Sequence, residues 1–108
     1  MSVEEFFSEC NRLILPIYFT EIEVYPYGMA VFKSRGTGHG WILYLDANGR
    51  VRTQHRHKPT DPYHDQHRRV ISVEEAIYDV ITHDTWQLKG RPYPACPVPY
   101  KYALENGI

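Results

Sequence analysis

The chain is expected to fold as an α+β domain: an antiparallel sheet of about four strands, with an N-terminal helix and a second helix packed on one face. Three observations point there. Two segments open with the same Ser-Val-Glu-Glu start and continue at helical spacing. The chain between them alternates with period two, and Asp46-Ala47-Asn48-Gly49 marks a tight hairpin.

At 108 residues the chain has room for one core, so residues 1–108 are expected to form a single domain. Hydrophobic residues make up 43% and charged residues 23%, which supports a folded domain rather than a disordered one.

The first helix starts at Ser2. Its hydroxyl is placed to accept the amide of Glu5, and the Glu5 side chain can return to the Ser2 amide, forming a capping box. Val3, Phe6, Phe7, Cys10, Leu13 and Ile14 then form an apolar stripe that ends before Pro16.

Thr20 to Tyr25 alternates Ile22 and Val24 with Glu21, Glu23 and Tyr25, as a strand with one wet face does. Tyr25-Pro26-Tyr27-Gly28 turns the chain, and Met29 to Lys33 returns it. The segment Ser34 to Gly40 is rich in glycine but lacks the Gly-Lys-Ser/Thr of a phosphate loop. It is read as a connection between strands, with an anion nest at Arg35 as the lesser reading.

Trp41–Leu45 and Val51–Arg56 flank the Asn48-Gly49 turn. That turn predicts that Asp46 faces Arg50, Leu45 faces Val51, Leu43 faces Thr53, Trp41 faces His55 and His39 faces His57. One face then carries Trp41, Leu43, Leu45, Val51 and Thr53, with the three histidines at its open end. The opposite face carries Ile42, Tyr44, Arg50, Arg52, Gln54 and Arg56.

Lys58 to Arg69 has no apolar period and is read as a long exposed loop, of a kind that is often functional. Ser72-Val73-Glu74-Glu75 then caps a second helix, with Ile71 placed to staple against Ala76. Val73, Ala76, Ile77, Val80 and Ile81 are its apolar face; Glu74, Glu75, Asp79 and His83 are expected outward or at its margin. The helix is expected to end near Thr85. Residues 89–108, with four prolines between Pro92 and Pro99, are expected to be irregular and to wrap the body.

Charge is unevenly spread along the chain. The net formal charge is −1 and the pI is near 6.6, yet residues 50–69 hold six Lys and Arg against Asp61 and Asp65. That segment is therefore about +4 and the remainder about −5. Tyr44, Arg50, Arg52, Arg56, Lys58, Arg68 and Arg69 are the candidate binding residues, suited to a protein or other anionic partner. Single-stranded nucleic acid is a third possibility that the pI disfavours. The exposed sheet face also suits a homodimer.

His39, His55 and His57 are the candidate metal ligands for zinc or another transition ion, which would suit a metal-assisted hydrolase. His64, His67, Asp61 and Asp65 lie near enough to add donors. Against this, no spacing of a known zinc site is present, and Thr53, Thr60 and Cys96 are nucleophiles by residue type alone. The leading expectation is a non-enzymatic binding or accessory protein without a cofactor. Two distant cysteines, no basic apolar leader and no long apolar run predict a cytoplasmic chain without a membrane span.

Overall fold

The computed structural model describes residues 1–66, 72–88 and 99–107. The first helix, α1 (Val3–Leu13), starts with both halves of the capping box: the Glu5 amide donates to Ser2 Oγ at 3.1 Å and the Ser2 amide to Glu5 Oε1 at 3.4 Å. Its buried stripe is Phe6, Cys10 and Leu13. Burial pushes the Cys10 thiol up to about 12, so this cysteine stays protonated and acts as a core residue.

Five strands follow: β1 (Phe19–Tyr25), β2 (Met29–Ser34), β3 (Gly40–Leu45), β4 (Val51–Arg56) and β5 (His64–Asp65). Each pairs antiparallel with its sequence neighbour, so spatial order and chain order coincide. The register of the central hairpin is the one its turn predicts, with Leu45 opposite Val51, Leu43 opposite Thr53 and Trp41 opposite His55. The turn is closed by the Asp46 amide on the Arg50 carbonyl at 2.9 Å, and Gly49 takes φ +73°, which favours glycine.

Two features of the sheet depart from the sequence expectation. The sheet has five strands rather than about four, because His64 and Asp65 within the expected loop pair with His55 and Gln54. The β1–β2 ladder also shifts between Thr20 and Glu23, with Glu21 at φ +52°. This bulge adds a residue to an edge strand and breaks its alternation.

Helix α2 (Val73–Gln87) begins with Ser72 Oγ accepting the Glu75 amide at 3.1 Å and runs two residues beyond the expected end. The expected staple from Ile71 lies outside the described residues. A further helix, α3 (Tyr100–Glu105), occupies the end of the segment expected to be irregular; residues 89–98, including Cys96, lie outside the described residues.

The helices cover one face of the sheet. Phe6 and Leu13 from α1, Ile77 and Val80 from α2, and Phe19, Phe32, Trp41 and Leu43 from the strands join in one buried cluster. Each such aromatic or aliphatic side chain contributes about 1.5–3 kcal/mol by leaving water. The Tyr100 hydroxyl donates to the Leu13 carbonyl at 2.7 Å, fastening α3 to the end of α1. Among the described residues, no helix is long and apolar enough to cross a membrane.

Candidate metal centre

At the end of the hairpin remote from the Asn48-Gly49 turn, the apolar core gives way to imidazoles. His39 precedes β3, His55 lies in β4, and His57 follows it by one residue. Because His55 and His57 are two apart in extended chain, both rings project to the helix-covered side. The predicted opposition of His39 and His57 appears as ring stacking, with centroids 4.3 Å apart and planes 16° from parallel. His39 and His55 are buried and His57 is exposed.

A fourth histidine completes the group. His83 was expected outward or at the margin of α2, but its ring lies 4.6 Å from that of His55 and 5.8 Å from that of His39. The four side chains each offer one nitrogen, and those four nitrogens lie within 4.8 Å of one another. The sequence held a signal for this. Positions 73, 76, 77, 80, 83 and 84 form one continuous helical stripe, and the apolar reading stopped where its residues turn polar.

The electrostatics favour neutral rings. Burial, then the neighbouring His57 and His83, push His39 down to about 4. Burial and the surrounding histidines, His83 foremost, push His55 down to about 3. His83 is lowered for the same reasons, burial first and His57 second. Neutral imidazoles present lone pairs, the form a metal ion binds. His55 Nε2 and His39 Nδ1 stand 3.0 Å apart, so one proton lies between two nitrogens that both aim inward. The His83 Nε2 atom is buried without a hydrogen-bond partner among the described residues.

Supporting contacts hold the rings. Trp41 packs 4.2 Å from His55 and meets His83 edge-on at 5.3 Å. The Trp41 indole N–H donates to Ser34 Oγ at 2.9 Å. Ser34 in turn bonds the buried Asp84 carboxylate, which also accepts from Thr37 Oγ1 at 3.2 Å. Thr37 Oγ1 accepts the His39 amide at 3.2 Å. The loop that carries His39 is thereby tied to the helix that carries His83, through the residue next to His83. Burial pushes Asp84 up to about 6, against the lowering effect of the Ser34 and Thr37 hydrogen bonds.

The remaining predicted residues disperse. His64 lies in β5, exposed, with its ring 5.3 Å from that of His55, and is not one of the four clustered donors. Asp65 accepts from Gln54 at 3.1 Å. Arg35 donates to the Pro16 carbonyl at 2.6 Å, a structural role for the candidate nest residue.

On the outer face, Tyr44 is half-buried beside Arg52. Arg52 binds Asp46 at 3.0 Å, and the Arg56 guanidinium lies 4.3 Å over the Tyr63 ring. A Cβ on Gly40 would come within 2.9 Å of that tyrosine's hydroxyl, so the bare glycine admits the ring against the strand. Arg50 and Lys58 are exposed. His67, Arg68 and Arg69 lie outside the described residues.

No protein-family model, curated protein or solved structure matches the chain.

Proposed function

We propose that this chain is a metal-binding domain that holds a divalent first-row transition ion, zinc or a close neighbour, on His39, His55, His57 and His83. The observation that carries the reading is the convergence of four imidazole nitrogens within 4.8 Å, two of them from rings that burial keeps neutral well below pH 7. Zinc–imidazole bonds of about 2.0–2.1 Å place donors around one tetrahedral ion about 3.4 Å apart. The group meets this by a modest contraction, for which the exposed His57 has room. The ion would replace the proton between His39 and His55 and take up the lone pair of the buried His83 nitrogen.

The basic-aromatic sheet face, the leading expectation from the sequence, becomes the second reading, as a surface for a protein or other anionic partner. It is the weaker one because Arg52 pairs with Asp46 and Arg56 is turned onto Tyr63, whereas the buried His83 Nε2 has no hydrogen-bond partner among the described residues.

The test is equilibrium dialysis of untagged, chelator-treated protein against Zn²⁺ or Co²⁺, followed by elemental analysis and thermal melting. One ion per chain is expected, with a stabilisation of about 2.7 kcal/mol at a free ion concentration 100 times Kd. His55→Ala should weaken binding by more than the roughly 10- to 100-fold that loss of a supporting residue costs. Uptake no greater than that of His55→Ala protein would overturn the reading.

A further inference from the structure

A cavity of about 300 Å³ opens beside the histidine group, between α2 and the strands. Trp41, Val80 and Trp86 give it apolar walls, Thr53 and Asp79 supply polar edges, and His83 belongs both to this wall and to the four-histidine group. A cavity of this volume is at the small end of those that hold organic ligands. It suits one aromatic ring with a short functional group.

Trp86 is 69% exposed although it flanks the cavity, so its indole adds little to the core and offers a stacking surface. The ion's coordination supplies the other half of the recognition. Imidazole ligands bring no charge to balance a divalent ion, and an ion that expands from four ligands to five or six can add an oxygen donor.

We infer that the cavity is the ligand subsite of the metal centre, taking a small aromatic molecule whose oxygen donor binds the ion while its ring lies against Trp86. This rests on the metal-binding reading above and adds the ligand class to it.

The experiment compares benzohydroxamate with acetohydroxamate, which share a chelating head and differ by the ring, on Co²⁺-loaded protein followed through the cobalt visible spectrum. Burial of the ring should make benzohydroxamate about tenfold or more the tighter binder. Two variants at exposed cavity positions, Trp86→Ala to remove the stacking face and Thr82→Phe to fill the mouth, should bring the ratio close to one with cobalt content unchanged.

Equal affinities in the unmodified protein, binding of neither probe, or a ratio unmoved by both variants would overturn the subsite and leave the metal centre standing. Failure to take up cobalt would overturn both.

Discussion

Imidazoles in mutual contact cannot all carry a proton, and this makes the metal-free protein sensitive to mild acid. In the unfolded chain each histidine titrates near its ordinary pKa of about 6.5; in the folded chain His39 waits until about 4 and His55 until about 3, with His83 also lowered. Below pH 6.5 the unfolded state therefore binds more protons, and stability falls as the pH drops through that window, levelling only below the folded-state values. Asp84, raised to about 6, acts in the opposite sense, because the folded state is the one that takes up its proton first. One carboxyl offsets part of the effect of three histidines. Melting temperature without metal should thus decline from pH 7 to pH 4, and His55→Gln should flatten the decline; a profile unchanged by the substitution would refute this account.

The elements differ in how plainly the sequence announces them. The β3–β4 hairpin was legible to the residue, because Asn48-Gly49 admits a left-handed φ at one place and alternation then assigns every side chain to a face. Three of the four histidines followed from that register. His83 did not, since a helical stripe is recognised by apolar residues and this one ends in His83 and Asp84. Strand β5 was illegible for another reason: two residues give no period, and their pairing depends on β4 already being in place. The prolines from Pro92 to Pro99 likewise hid α3, which starts only after the last of them.

The tie between the β2–β3 loop and α2 belongs to this scale. Thr37→Val removes the hydroxyl that Asp84 accepts from and the oxygen that holds the His39 amide. It should cost about 1–3 kcal/mol of metal-free stability by leaving buried polar groups unsatisfied, and weaken Co²⁺ binding about tenfold or more. Chemical denaturation and a cobalt titration of the same variant read the two effects separately.

Across the whole molecule, two helices share one sheet face, and a third joins the core through Tyr100 and Ala103. Tyr100 packs edge-on against Tyr18 at 5.5 Å and Tyr78 at 5.1 Å, and its hydroxyl bonds the Leu13 carbonyl. Tyr100→Phe keeps the ring and leaves that carbonyl without its donor, so a loss of about 1–3 kcal/mol in urea denaturation is expected. Metal binding should be unaffected, because the histidine group draws on none of these contacts.

The strictly sequential order of the sheet bears on how the site is assembled in time. A meander needs no distant partner before each new strand can pair, which favours rapid folding through local contacts. The hairpin alone brings His39, His55 and His57 together, over a separation of 18 residues, whereas His83 arrives only when α2 docks. An ion captured by the hairpin would therefore be locked in by the later element. With α2 docked and His83 added as a fourth ligand, the ion would leave more slowly than from the hairpin alone, so local opening of α2 would shorten the residence time of the metal.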